Sequence, residues 1–333
     1  MKKLFYVFFV ATLFCSCNSN TSNKKLNNEL DYKASLRINW IPSSTFVGEI
    51  VGMKNFAKNN SLDLKVETGG AGLDPIKLVE ADVNTFGVAG ADLVLAANDK
   101  GGDYVIIGLV SYDSPGVFLS KAEKNIKTIS DIKPSTRIGE LPGGNMIYLY
   151  EVFLKRTRLV RNVNFKPVPI PFELKNFITS DECDIRPVFI HDEPSELDLL
   201  GIKYNIIEPR SLGISFKGIC YFCKRKTVIE NPELVQAFIN TMIEGWSFSI
   251  EHNEQAIKIL KEFDKTIRED KELLGLKRGL AYFKGYNGKL LSTDTESWLE
   301  MINDMKELGF LKNDVDINRI LDLSFVDNYY KSK

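Results

Sequence analysis

Residues 183–223 read CDIRPVFIHDEPSELDLLGIKYNIIEPRSLGISFKGICYFC. This stretch predicts a strand over residues 186–190, then a helix and two further strands, because short β-branched and aromatic runs alternate with turn residues. The first of these strands ends in the polar sequence HDEP at 191–194. Ligands of open α/β sheets bind outside the carboxyl ends of the strands. We therefore predict that Glu193 faces a crevice and binds a ligand there.

The same polar residues also suit the start of a helix. Pro194 is favoured at the first helical position, because its missing N–H costs nothing there, and Glu193 then takes the cap position. In the alternative interpretation, Asp192 and Glu193 only cap this helix. The sequence leaves both roles open.

Length and charge limit the class of protein. The chain has 333 residues, of which 44% are hydrophobic, and this is enough for two lobes with their own cores. Its 43 basic and 44 acidic residues nearly balance. Because there is no cationic excess to neutralise phosphates, we expect binding neither to nucleic acid nor, through charge, to a membrane surface.

The N-terminus has the pattern of an export signal. Lys2 and Lys3 precede an apolar run at 4–14, which is too short to span a bilayer. Small Ser16 before Cys17 resembles a bacterial lipoprotein cleavage site, so we predict a signal peptide at 1–17 and a lipid on Cys17 that holds the exported protein at the periplasmic face of the cell membrane. A plain secretory signal with a chance cysteine is the alternative. Residues 18–35, rich in Asn, Ser and Lys, predict a flexible tether.

The pattern after the tether predicts an α/β fold with two lobes. From Leu36 onward strands and helices alternate, which indicates parallel or mixed sheets covered by helices on both faces. A second alternating series begins near Thr128, and only helices follow Phe222. We predict lobe one at 36–117 plus 210–333, including the C-terminal helices, and lobe two at 118–209. The two chain crossings then form a hinge on which the lobes close.

The mature chain has three cysteines, Cys183, Cys220 and Cys223. An odd number argues against a disulfide framework. Cys220 and Cys223 lie three apart on a predicted strand and therefore point to opposite faces, which is a poor geometry for a shared metal or a redox pair. We predict buried thiols and no metal site.

Four segments together resemble a known family. They are INWIPSSTFVG (38–48), FGVAGADLVLAANDKG (86–101), CDIRPVFIHDEP (183–194) and NPELVQAFINTMIEGWSFSIEHNEQA (231–256). In this order they resemble the substrate-binding proteins of bacterial ABC importers, which have the type II periplasmic-binding-protein fold. The branch that binds thiamine-pyrimidine precursors looks most similar. Riboflavin binders and fungal thiamine-pyrimidine synthases are relatives, and nitrate, sulfonate and taurine binders are more distant.

The resemblance implies a function and partners. It implies a ligand held between two closing lobes, and an ABC permease and ATPase as partners, with no cofactor. We expect a monomer, because the hinge needs no partner subunit. A nitrate, sulfonate or taurine binder remains an alternative, and so does a sensor that presents its closed form to a membrane receptor.

Two anchors of the ligand follow from this resemblance. Trp40 and Pro42 match a Trp-x-Pro of the related pyrimidine binders, and an indole there offers a flat face for stacking on a heteroaromatic ring. Glu193 matches the family's Asn-Glu-Pro and is expected to accept hydrogen bonds from an exocyclic amine. Asp192 replaces the amide of that motif, so a second negative charge lies beside Glu193 and can raise a carboxyl pKa.

Further candidates line the same predicted cleft. The glycine turn formed by Gly143, Gly144 and Asn145 can bring backbone N–H groups close to a ligand. Asp92, Ser111 and Tyr112 are polar residues that follow predicted strands. Phe46 and Tyr221 can complete an aromatic lining.

The chain lacks the residues that the related enzymes need for catalysis. The fungal synthases need a lysine, a sacrificial histidine and a cysteine cluster, together with pyridoxal phosphate and iron. Ala89 lies near the lysine position, Leu93 near that of the histidine, and only Cys220 and Cys223 remain of the cluster. We therefore expect a binding protein and not an enzyme.

Overall fold

The computed structural model describes residues 30–70, 72–141 and 146–333. The predicted signal peptide with Cys17, and Gly143, Gly144 and Asn145, lie outside the described residues. The strands are β1 (Tyr32–Arg37), β2 (Leu62–Glu67), β3 (Thr85–Gly90), β4 (Tyr104–Leu109), β5 (Gly116–Lys121), β6 (Arg137–Glu140), β7 (Lys166–Pro169), β8 (Arg186–Phe189), β9 (Tyr204–Ile207) and β10 (Ile219–Lys224).

Helices separate most of these strands and make up the C-terminal part. They are α1 (Val47–Val51), α2 (Pro75–Ala81), α3 (Ala91–Asp99), α4 (Ile147–Thr157), α5 (Lys175–Thr179), α6 (Glu193–Leu199), α7 (Arg225–Glu230), α8 (Pro232–Glu251), α9 (Asn253–Phe263), α10 (Glu269–Gly279), α11 (Glu296–Glu307), α12 (Ile317–Ile320) and α13 (Ser324–Lys331). Within the described residues, no helix is both long enough and apolar enough to cross a membrane.

The first sheet contains strands from both ends of the chain. Its order is β2-β1-β3-β10-β4. β1 pairs in parallel with β2 and β3, whereas β10 runs antiparallel to β3 and β4. The chain must therefore leave this sheet after β4 and return to insert β10 between β3 and β4.

The other five strands form a three-stranded sheet, β8-β5-β9, and a two-stranded sheet, β6-β7. β5 lies antiparallel between β8 and β9, and β6 pairs in parallel with β7. The Gly139 N–H donates to the Ile185 carbonyl over 2.8 Å, which links β6 to the approach of β8. The chain segments that join the first sheet to the three-stranded sheet run side by side, since the Ser114 N–H donates to the Phe216 carbonyl over 2.6 Å. The α/β, two-lobed fold predicted from the sequence is thus confirmed.

Burial explains why the central strands form. All six residues of β3 and of β4 are buried, as expected for strands covered by helices on both faces. One core lies between the first sheet and α1, α8 and α9, and another lies between its opposite face and α3, α4 and α11. These two layers hold the carboxyl ends of β1 and β3 in fixed positions.

The first strand begins earlier than predicted. β1 starts at Tyr32, four positions before Leu36, so its first residues fall within the segment predicted as a tether. The parallel register pairs Tyr32 with Leu62, and the Tyr32 N–H donates to the Ser61 carbonyl over 3.0 Å. Tyr32, Ala34 and Leu36 alternate with polar residues, which is a strand pattern, but Tyr32 and Ala34 directly follow the polar segment and were included in it.

Two glycines bring α1 and α8 into backbone contact. A Cβ at Gly245 would lie 2.1 Å from the Gly48 carbonyl oxygen, and a Cβ at Gly48 would lie 2.3 Å from the Trp246 ring. Neither position has room for a side chain, so this close approach depends on glycine. The contact brings Glu49 of α1 against the buried side chains of β10 and α8.

Candidate functional site

Loops of the two lobes meet where several strands end. The loop after β1 reaches the loops after β7 and β8, and α10 contacts α6. In open α/β sheets this edge is where ligands bind. The candidate site is therefore the cleft formed by these loops.

Trp40 lies on this cleft with part of its ring exposed. Its side chain is 37% exposed, whereas Trp246 and Trp298 are buried. Its ring centroid is 6.0 Å from that of Phe172 of the other lobe, with the planes at 49°. The Gly69 N–H donates to the Trp40 carbonyl over 3.0 Å and fixes the loop. Pro42, two residues on, is buried in the same loop.

Glu193 is the first residue of α6, and the cap position belongs to Asp192. Its Oε2 accepts a hydrogen bond from the Phe189 N–H over 3.0 Å, so the carboxylate closes the turn between β8 and α6. Burial raises the pKa of Glu193, and the charge of Asp192 raises it further. Contact of Glu193 with a ligand stays a prediction.

Asp192 makes an interlobe ion pair. Its Oδ1 lies 2.5 Å from the Lys271 Nζ on α10, and it makes no side-chain cap bond to α6. The second negative charge beside Glu193 is therefore partly neutralised from the other lobe. The same region is crossed by the 2.7 Å hydrogen bond between Thr45 Oγ1 and His191 Nε2. Burial lowers the pKa of His191 to about 4, so this imidazole is neutral near neutral pH.

Asp92 follows β3 and lies in the first turn of α3. It is 2% exposed, and burial raises its pKa to about 7. Oδ1 accepts from the Leu93 N–H over 2.9 Å, but Oδ2 has no hydrogen-bond partner among the described residues. A buried acceptor without a partner costs about 1–3 kcal/mol. A donor brought by a ligand would recover this free energy.

Polar atoms of several other residues share this property. Within the described residues they include Asn39 Oδ1, Glu49 Oε2, His191 Nδ1 and Lys217 Nζ, which are buried and make no hydrogen bond. Asn39 immediately precedes Trp40, and this adjacency was the signal in the sequence that would have found it. Lys217 belongs to the hinge, where its Nζ lies 3.6 Å from the Tyr112 ring centroid and 3.8 Å from Asp113 Oδ1.

Ser111 and Tyr112 lie in the hinge, where both make contacts with other parts of the chain. The fully buried Ser111 Oγ accepts from the Ile219 N–H over 2.7 Å, which ties the two crossings together. The Tyr112 hydroxyl donates to Asp294, and its ring stacks on Tyr286 with centroids 5.6 Å apart. Ser111 thus accepts a hydrogen bond within the hinge, and Tyr112 is half-buried against the C-terminal segment. Ligand contact at these two positions stays a prediction.

Phe46 and Tyr221 also depart from their predicted place. Both are buried in the core between the first sheet and α8, so neither contributes an exposed ring to the cleft. The Tyr221 hydroxyl donates to Glu49 Oε1 over 2.7 Å and accepts from the Trp246 Nε1–H over 2.9 Å. The sequence showed aromatic side chains but not which face of β10 and α1 they occupy.

The prediction that the three thiols are buried is confirmed. Cys183, Cys220 and Cys223 are buried and unbonded, and burial raises the pKa of each thiol. Cys220 and Cys223 belong to cores on opposite faces of the first sheet. In the part of the chain that the structure describes, no group of three His, Cys, Asp or Glu side chains could hold a metal ion.

Comparison with known families identifies the chain. Residues 46–256 match the family model described as NMT1/THI5 like. The chain belongs to the NMT1/THI5-like family. None of the curated protein sequences compared with this NMT1/THI5-like chain matches it significantly.

Solved structures with a similar fold cover most of the chain. The periplasmic aliphatic sulphonate binding protein SsuA from Escherichia coli has a TM-score of 0.66 at 17% identity, covering 86% of this chain and 91% of its own. The desulfurization enzyme DSZB has a TM-score of 0.65 at 11% identity, covering 90% and 99%. The Candida albicans CA3427 gene product, described as having the generic periplasmic binding protein fold, has a TM-score of 0.60 at 13% identity, covering 87% and 96%. At these identities the likeness establishes the fold.

Proposed function

We propose that this protein is the substrate-binding component of an ABC importer and captures a small heteroaromatic, amine-bearing ligand between its lobes. A thiamine-pyrimidine precursor or a riboflavin-like compound has this chemistry. The observation that carries the proposal is the exposed indole of Trp40 at the place where loops of the two lobes meet. The periplasmic-binding-protein fold and membership of the NMT1/THI5-like family support it.

Stacking supports a flat ligand. An exposed indole in a cleft offers a large face to another aromatic ring, and such pairs gain about 0.5–1.5 kcal/mol beyond the area that they bury. The backbone of Trp40 is held by its hydrogen bond from Gly69, so the loop that carries the indole need not be ordered on binding. A preorganised contact of this kind favours affinity.

The polar groups support a ligand that donates hydrogen bonds. Asp92 Oδ2 and Asn39 Oδ1 are acceptors without partners among the described residues, and Glu193 adds a further carboxyl. Exocyclic amines and ring N–H groups supply the missing donors. A sulfonate or nitrate would meet these acceptors with its own oxygens, so we favour an amine-bearing ligand over the anions of the alternative.

Replacing Glu193 with glutamine tests the carboxylate at the β8 end. The Gln side-chain oxygen can still accept from the Phe189 N–H, so the turn and the melting temperature should persist. Loss of the charge-assisted bond should weaken aminopyrimidine binding by about 1.5–3 kcal/mol. Calorimetric titration measures this, and affinity equal to that of the wild-type protein would restrict Glu193 to its role in the turn.

An enzyme on this fold is the second candidate, favoured by the likeness to DSZB. A nucleophilic thiolate needs an accessible cysteine of lowered pKa. The described cysteines are buried and their pKa values are raised. Ala89 lies inside β3 and Leu93 inside α3, so the lysine and histidine of the synthases have no counterparts there. These observations favour binding.

Export and lipid anchoring complete the proposal, through the signal at 1–17. Cys17→Ala should release the protein from membranes, because the acyl chains attached at that residue are the only anchor in this account. Fractionation of cells followed by immunoblotting measures the partition. Cys15→Ala, two residues away, is the matched control and should still pellet with membranes. A Cys17→Ala protein that also pellets would remove the anchor.

A thermal-shift panel tests the proposed function. The mature domain from Tyr32 would be screened against aminopyrimidines, thiamine, riboflavin, nitrate, taurine and alkanesulfonates. A ligand at 100 times its Kd adds about 2.7 kcal/mol to the free energy of unfolding. We expect stabilisation by aminopyrimidines or flavins. Stabilisation by sulfonates or nitrate alone would contradict the proposed ligand class.

A further inference from the structure

We infer that Phe172 forms the second wall of the ligand site, so that a flat ring is held between Trp40 of one lobe and Phe172 of the other. This inference rests on the proposed function and adds a residue that determines specificity. Phe172 follows β7 and is 41% exposed, although it is among the largest apolar side chains. Exposure of a large aromatic ring beside an exposed indole marks a binding surface.

A buried arginine holds the loop that carries Phe172. Arg186 of β8 is fully buried, and its Nη2 donates to the carbonyls of Pro171 and Phe172 over 2.7 and 2.8 Å. Its Nη1 lies 3.1 Å from Glu182 Oε1, which supplies the opposite charge. Burying a guanidinium is costly unless it is paired and hydrogen-bonded. Here those bonds fix the backbone on which the Phe172 ring is mounted.

The spacing of the two rings fits a thin ligand after a small movement. Their centroids are 6.0 Å apart and their planes are inclined by 49°. A ring stacked between two others needs about 7–8 Å between the flanking rings, since each contact takes about 3.5–4 Å. Rotation of the Phe172 ring and separation of the lobes by about 1–2 Å would provide this space. The loop backbones stay held by Gly69 on one side and by Arg186 on the other.

Two aromatic rings, one on each side of the ligand, select for a planar ligand more strictly than one ring does. A heteroaromatic ring fills the gap with both faces in contact, whereas a tetrahedral sulfonate or an alkyl chain leaves one wall without close contact. Because the rings belong to different lobes, the ligand also links the lobes directly. The flat part of the ligand thus promotes closure of the two lobes, while the carboxyl groups accept hydrogen bonds from its amines.

Calorimetric titration with the hydroxymethyl aminopyrimidine portion of thiamine tests this wall. Phe172→Ala and Phe172→Leu should each weaken binding about 10-fold, because leucine keeps the bulk but not the flat face, and Phe172→Tyr should bind within about 3-fold of wild type. Ile229→Ala, at an exposed residue of α7, is the matched control and should not change binding. Melting curves establish that each variant is folded.

A double-mutant cycle separates this inference from the proposed function. If one ring lies between both walls, the Trp40→Ala, Phe172→Ala protein should lose less affinity than the product of the single losses. Unchanged affinity in Phe172→Ala with a loss in Trp40→Ala would overturn the second wall and leave the proposed function standing. A wild-type protein that binds neither this aminopyrimidine nor riboflavin would overturn both.

Discussion

Trp40→Ala should weaken binding of an aminopyrimidine by about 1.5–3 kcal/mol, which is about 10- to 150-fold in Kd. The loss combines the stacking contact with the apolar area that the indole covers. Trp40 is 37% exposed and lies outside both large cores, so removing its ring leaves the interior unchanged. The melting temperature without ligand should therefore stay close to that of the wild-type protein.

The matched variant for this prediction is Trp40→Phe, which keeps a flat ring of smaller area. It should retain most of the affinity, and calorimetry at one temperature and salt concentration gives all three values. Equal affinities of the wild-type and Trp40→Ala proteins would remove the stacking site. A loss of affinity accompanied by unfolding would instead make Trp40 a structural residue.

Glu49→Gln should remove a pH-dependent loss of stability. Glu49 is fully buried on α1, where burial raises its pKa to about 7 despite the hydrogen bond from Tyr221. The unfolded value is about 4.3. A carboxyl whose pKa is higher in the folded state binds its proton more tightly there, so stability is lost as pH rises between these two values.

The size of this effect follows from the difference in pKa. Between about pH 5 and pH 8, Glu49 should cost the wild-type protein about 2–3 kcal/mol, and the glutamine variant should not lose this amount. The pKa of Asp92 is also raised to about 7, so Asp92 lowers the free energy of unfolding over the same pH range. This contribution is the same in both proteins and cancels when they are compared. The Gln oxygen can still accept the Tyr221 hydroxyl, which is 2.7 Å from Glu49 Oε1.

Urea unfolding at the two pH values measures this difference. Glu254→Gln, at an exposed position of α9, is the control and should follow the wild-type protein. A stability difference between wild type and Glu49→Gln that is the same at both pH values would show that Glu49 is already ionised in the folded protein. That outcome would contradict the desolvated site described here.

The sequence predicts well those elements that are defined by their own residues. The run TFGVAG predicts a strand at 85–90 and the segment after it predicts a helix at 91–99, and β3 and α3 have these limits. The end of β8, with Glu193 beside it, was also predicted. The start of β1 was missed, because Tyr32, Ala34 and Leu36 gain their burial only from pairing with β2.

The candidate site was harder to predict than the fold. Glu49 resembles a solvent-facing charge on an amphipathic helix, and only Tyr221 and Trp246, distant in the sequence, place it in the interior. The position of Tyr112 after β4 predicts a ligand contact, but does not predict that its hydroxyl bonds Asp294 and its ring stacks on Tyr286 of the C-terminal segment. Phe172 was missed because no pattern indicates that a loop residue faces Trp40 across two lobes.

A fluorescence titration of the mature domain with the hydroxymethyl aminopyrimidine portion of thiamine, and with taurine in parallel, distinguishes the two classes of ligand. Trp246 and Trp298 are buried, so a ligand-induced change in tryptophan emission reports chiefly on Trp40. We predict a saturable change with the aminopyrimidine that is absent in Trp40→Phe, and no change with taurine. A saturable response to taurine alone would contradict the account, because it would mean that the cleft binds an aliphatic sulfonate.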